Sequence, residues 1–135
     1  LLIEGDKKQI AKFKKEAKSK EADLSFDSLL PTPEEYIKQS EKNKANLICY
    51  NWRLQNWGTK WNPDDSYLSA DDDTYLEYRF LTAWSPPCEF LLNISKKYKK
   101  LKFIIRYSEE GMGYMGKYIT EKGFVVEDQC IEGGA

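Results

Sequence analysis

The sequence predicts an α+β domain: an antiparallel sheet with helices on one face. Three observations predict it. Two segments carry apolar residues at helical spacing, Ile10, Phe13 and Ala17 in one and Phe90, Leu91, Ile94 and Tyr98 in the other. Thr74 to Trp84 alternates, with Leu76, Tyr78, Phe80 and Thr82 on one side and Glu77 and Arg79 on the other, the period of a half-buried strand. Short apolar runs separated by glycine turns fill the remainder, at Leu1–Glu4, Leu101–Tyr107, Tyr114–Thr120 and Phe124–Ile131.

In chain order, a short buried strand ends at Gly5. Asp6 then reads as an N-cap, with Gln9 at the capping-box position of a helix running to about Ser19. Its lysines, at 7, 8, 12, 14, 15 and 18, fall mostly off the apolar stripe and read as a solvated face. Residues 20–32 read as a connector pinned to the core by Leu24, Phe26, Leu29 and Leu30. Thr32-Pro33-Glu34-Glu35 predicts a helix start, with Thr as cap and Pro at the first helical position. That helix runs to about Gln55 with a break near Lys44, its apolar contacts supplied by Tyr36, Ile37, Leu47, Ile48, Trp52 and Leu54. Gly58 stops it. Residues 62–73, rich in Asp, read as a loop with short strand content, without the spacing of a calcium loop. Ser85-Pro86-Pro87 predicts the start of the next helix.

Setting aside a helical insertion at about residues 20–62, the order is βαββαβ with an added C-terminal hairpin. That is the ferredoxin-like arrangement, here one domain over residues 1–135.

Composition narrows the function. With 21 basic and 22 acidic residues the net charge is −1, which argues against a general polyanion binder. There is no His, so the commonest metal ligand and general base are both missing. The three Cys, at 49, 88 and 130, have no C-x-x-C spacing and fit free thiols in a reducing cytoplasm. No apolar run approaches a membrane span. No metal set, phosphate loop or cofactor motif is present, and the expected protein is non-catalytic, without cofactor or metal.

Two stretches stand out: Asn56-Trp57-Gly58-Thr59-Lys60-Trp61 and Thr82-Ala83-Trp84-Ser85-Pro86-Pro87. They are either a packed corner of the fold or a recognition surface. As a surface, Trp57, Trp61 and Trp84 would stack a ring. Lys60 and the helix start at Ser85 would together attract an anionic group, with Thr82 beside them in the set. Tyr107 and Glu109, at a strand end, complete the candidate ligand-binding set. Cys88, in a helical first turn, is a lesser nucleophile candidate. Lys96, Lys97, Lys99, Lys100 and Lys102 with Tyr98 form a basic cluster that a nucleic acid could follow, a reading the acidic total disfavours.

These stretches, with Phe26-Asp27-Ser28-Leu29-Leu30-Pro31-Thr32-Pro33-Glu34-Glu35 and Phe80-Leu81 ahead of Thr82, resemble the Api92-like proteins of phages and plasmids, in family order over nearly the whole chain. Tyr107, Glu109, Gly111 and Gly116 resemble the family's closing Tyr-x-Glu-x-Gly and aromatic-x-Gly pattern. Relatives usually carry an Asn-Trp-Cys-x-Asn-like segment ahead of the first strand, a place before Leu1. The resemblance implies the ferredoxin-like fold and residence on a mobile element, and implies no activity. The expectation is an accessory protein in the cytoplasm of a bacterial host. It would modulate host processes by binding a host protein or a nucleotide-like small molecule. Single-stranded nucleic-acid binding is the alternative, and a small nucleotide enzyme using Glu109 or Cys88 a third.

Overall fold

A computed structural model describes residues 1–44, 46–83 and 85–132. The elements are β1 (Leu2–Glu4), α1 (Lys7–Ala17), α2 (Phe26–Leu29), α3 (Glu34–Lys42), α4 (Ile48–Asn56), β2 (Asp64–Asp71), β3 (Tyr75–Leu81), α5 (Cys88–Lys97), β4 (Lys102–Glu109), β5 (Tyr114–Glu121) and β6 (Phe124–Glu132). The strands form one antiparallel sheet in the order β2-β3-β1-β4-β5-β6. Its first four strands have the ferredoxin-like order, and the β5–β6 hairpin extends the β4 edge.

Alternation decides which face is buried. Ile3, Leu76, Tyr78, Phe103, Ile105 and Tyr118 turn toward α1 and α5 and join Ile10, Phe13, Phe90, Leu91 and Ile94 in one core. Phe13 sits at its centre, edge-on to Tyr78, Tyr98 and Phe103. On the other face Leu2, Ile104 and Ile119 stand in register across β1, β4 and β5. The hairpin is also tied to α5: Thr120 Oγ1 donates to Leu91 O (3.2 Å), and Gly123 N donates to Ser95 Oγ (3.0 Å). No helix of the described residues is long and apolar enough to cross a membrane.

The α1 cap is as expected, with Gln9 N donating to Asp6 Oδ1 at 2.9 Å. The break expected near Lys44 is present, and it separates α3 from α4. Three local expectations change. Leu47 and Leu54 are exposed rather than supplying apolar contacts. Thr32 does not cap α3. Pro33 stands at that position without a side-chain bond, and the Thr32 hydroxyl donates to Asp27 Oδ1 (3.0 Å). Residues 64–71 are a full strand, not a loop. Ser66, Leu68 and Ala70 half-bury along one side, and the connector covers this edge through Leu68 N to Asp23 Oδ2 (2.9 Å) and Ser66 Oγ to Leu24 O (3.1 Å). Asp71 pairs with Lys14, and Asp73 with Lys7.

Candidate functional site

The two Trp stretches meet where α4 ends and α5 begins. Trp57 N and Gly58 N donate to Arg53 O, and Gly58 N also reaches Leu54 O. Gly58 has φ +79°, the left-handed conformation that ends a helix without a Cβ penalty. A Cβ at this position would lie 3.3 Å from Pro86 O, so the glycine also admits the close approach of α5. Phe90 N donates to Trp57 O (3.3 Å) and Asn93 Nδ2 to Asn56 O (2.9 Å), joining the helices.

This reversal sends the two indoles opposite ways. Trp57 is 1% exposed, edge-on to Phe26 and Trp52, with its Nε1–H donating to Leu30 O at 3.1 Å. It is a core residue and cannot contact a ligand, which corrects its place in the expected site. Trp61 is 41% exposed. Lys60 is half-buried beside it. The turn that carries them is held from within. Thr59, fully buried, donates its hydroxyl to Trp61 O (3.0 Å), and Arg53 Nη1 reaches Lys60 O (3.5 Å). Trp84 lies outside the described residues.

Thr82 and Ser85 are structural here. Thr82 Oγ1 donates to Ser85 O (2.8 Å), and Ser85 Oγ donates to Gly58 O (2.6 Å). The expected anion site at this helix start is filled from inside the protein. Cys88 N bonds Pro86 O, Phe90 N bonds Trp57 O and Leu91 N bonds Pro87 O, so the first-turn amides are mostly spent.

Tyr107 and Glu109 belong to a different part of the sheet. The Tyr107 ring lies across Gly116, its cross-strand partner; a Cβ there would fall 2.2 Å from the phenol oxygen and 2.6 Å from Gln129 O. Burial, and then a hydrogen bond with Cys130, hold its phenol above the usual range. Glu109 Oε1 accepts Gly111 N (2.8 Å) and closes the β4–β5 turn. No bond or ring contact among the described residues joins either to the Trp61 turn.

The thiols differ. Cys49 is buried, Cys88 half-buried and Cys130 exposed, all three as free thiols. Nor is Cys88 activated by its helical position: burial first, then Glu89, Asp128 and Cys130, push its thiol up to about 12. Burial also pushes Tyr118 up to about 12. For both groups the folded value exceeds the unfolded one, so the folded state binds more protons in that range. Stability is therefore expected to be fully present below the ordinary thiol value of 9.0 and to fall as pH rises toward about 12. Urea midpoints across that range check this, with Cys88→Ala expected to shallow the slope; a flat profile contradicts it.

Several aromatics of the sheet and of the basic cluster are buried. Tyr78, Phe103 and Tyr118 lie under the helices, and Tyr98 is buried with its hydroxyl donating to Glu16 Oε1 (3.0 Å). In the basic cluster Lys97 is bound to Leu29 O (3.1 Å). No group of His, Cys, Asp and Glu side chains among the described residues is placed to hold a metal ion.

A further feature lies between α3 and α4. A cavity of about 470 Å³ opens there, with Arg53 and Lys44 in its lining. The only signal for it was the break near Lys44, which parts the two helices.

The fold and this corner define a ferredoxin-like domain elaborated by a helical insertion and a C-terminal hairpin. Residues 56–135, more than half of the chain, match the family described as the ferredoxin-like domain in Api92-like protein. The chain belongs to that family. Its match opens at the α4–α5 corner, although β1, far upstream, sits at the middle of the sheet. Among solved structures, it is similar to the crystal structure of the protein Api92 from Yersinia pseudotuberculosis, at 20% identity and a TM-score of 0.54. That likeness covers 64% of this chain and 30% of the Yersinia chain, and it speaks for the fold. No curated protein matches.

Proposed function

We propose that the protein acts by binding rather than by catalysis, and that Trp61 and Lys60 form its recognition surface for another protein. The carrying observation is a large, exposed indole on a turn fixed by internal hydrogen bonds. Such a side chain loses little freedom on binding and resembles the aromatic anchors that dominate interfaces. An exposed indole on a fixed turn suits insertion into a partner's groove. The protonated Cys88 thiol and the turn-closing Glu109 carboxylate favour binding over chemistry. The Api92-like resemblance suggests the setting: a phage- or plasmid-encoded accessory protein, in the bacterial cytoplasm, engaging a host protein.

Trp61→Ala is expected to leave unfolding free energy within about 0.5 kcal/mol of the parent, as for most surface substitutions. The test compares proteins from bacterial extract held by the parent chain with those held by Trp61→Ala. Loss of a reproducible partner in the variant supports the reading. Identical capture by both chains, or none by either, removes it.

A further inference from the structure

We infer that the cavity between α3 and α4 is a binding site for a phosphate monoester with a planar body, of nucleoside-monophosphate size. It uses neither the Trp61 nor the Lys60 side chain, although Arg53 also bonds the Lys60 carbonyl, and it does not rest on the proposed recognition role. Its volume of about 470 Å³ lies within the range of about 300–1,000 Å³ usual for small-molecule sites.

Arg53 supplies the main argument. Its Nε donates to Thr32 Oγ1 (3.2 Å), its Nη1 reaches Lys60 O (3.5 Å), and its guanidinium carbon lies 5.5 Å from the Trp57 ring centroid. These contacts fix the fork while leaving donors unspent, since a guanidinium carries five N–H groups. No described carboxylate forms an ion pair with it. Asp27 reaches it only through the Thr32 hydroxyl, which donates to Asp27 and accepts from Arg53. A half-buried, oriented guanidinium lacking a paired anion is suited to a fork-like contact with phosphate oxygens.

The rest of the lining fits the other parts of such a ligand. Lys44 adds a second cation without an ion-pair partner among the described residues. Tyr50 and Ile37 supply an exposed ring and an apolar wall for a planar body. Asn46 accepts Ile48 N through Oδ1 (2.9 Å), which fixes its amide and directs its NH2 group away from that bond. Glu41 provides an acceptor for ligand hydroxyl or amino hydrogens.

The probes are adenosine monophosphate and inorganic phosphate, titrated calorimetrically into the full chain at low salt. Adenosine monophosphate is expected to bind saturably and more tightly than phosphate. Lys44→Glu and Arg53→Lys should each weaken it by about tenfold or more, the usual worth of a charge-assisted bond. Lys44 is exposed, so its variant should keep the parent unfolding midpoint; Trp61→Ala should bind the nucleotide as the parent does. No saturable binding by the parent, equal affinity in Lys44→Glu, or phosphate binding as tightly as the nucleotide would each overturn the assignment. Loss of nucleotide binding in Trp61→Ala would also overturn it, by moving the ligand to the other surface.

Discussion

Trp57→Ala is expected to lower the unfolding free energy by about 3–5 kcal/mol, as for large aromatic truncations in cores. The side chain is the largest of the fully buried ones among the described residues, and it does three things at once. It fills the space between Phe26 and Trp52. It satisfies Leu30 O in the connector through its indole N–H. It carries Arg53 on its face. Truncation leaves a cavity and an unpaired carbonyl together, and the second costs about 1–3 kcal/mol where water cannot enter. Urea unfolding measures the loss. A change below about 1 kcal/mol would contradict the placement of this residue.

Phe13→Ala should cost about as much, roughly 3–5 kcal/mol, for a different reason. Phe13 is completely buried and joins layers: its ring centroid lies 6.2 Å from Tyr78 on β3, 5.1 Å from Tyr98 after α5 and 5.7 Å from Phe103 on β4. Edge-to-face pairs contribute about 0.5–1.5 kcal/mol each beyond burial, and one substitution removes all three. The transition should shift to lower urea with little change in slope, because the surface exposed on unfolding hardly changes. A shallower slope would mean that α1 detaches from the sheet before global unfolding.

Much of this fold can be read from residue spacing. Ile10, Phe13 and Ala17 identify the buried side of α1, and Phe90, Leu91, Ile94 and Tyr98 that of α5 and its end. Alternation through Leu76 and Tyr78 identifies β3, and the family resemblance agrees with the matched domain. β2 is less legible because Asp64, Asp65 and Asp71 make an edge strand look like a loop; its backbone pairs on one side with β3 and on the other meets the connector. Thr32 and Ser85 have the chemistry of caps, yet the Thr32 hydroxyl accepts from Arg53 and that of Ser85 donates to Gly58 O, long-range bonds that no local pattern encodes.

The candidate site was half legible for a similar reason. Trp57 and Trp61 are identical side chains in one short stretch, and both suit either a core or a surface. What separates them is the backbone reversal at Gly58, which follows only once α5 packs against the end of α4. Tyr107 and Glu109 suit a binding site by residue type and by their place at a strand end. In the fold they close the far end of β4, on Gly116 and on Gly111. A lone Arg on a helix is ordinary, and no local pattern marks Arg53. Its meaning arises from Thr32, Lys60 and Trp57 holding it beside an opening.

The division of labour between the two indoles is tested most directly by hydrogen exchange at the Trp side-chain N–H groups, followed by nuclear magnetic resonance and assigned with single Trp→Phe variants. The Trp57 Nε1–H, bonded to Leu30 O inside the core, should exchange only through global unfolding, while that of Trp61 exchanges within the first spectrum. Rapid exchange at Trp57, or protection at Trp61 equal to it, would contradict a buried anchor beneath a displayed recognition residue.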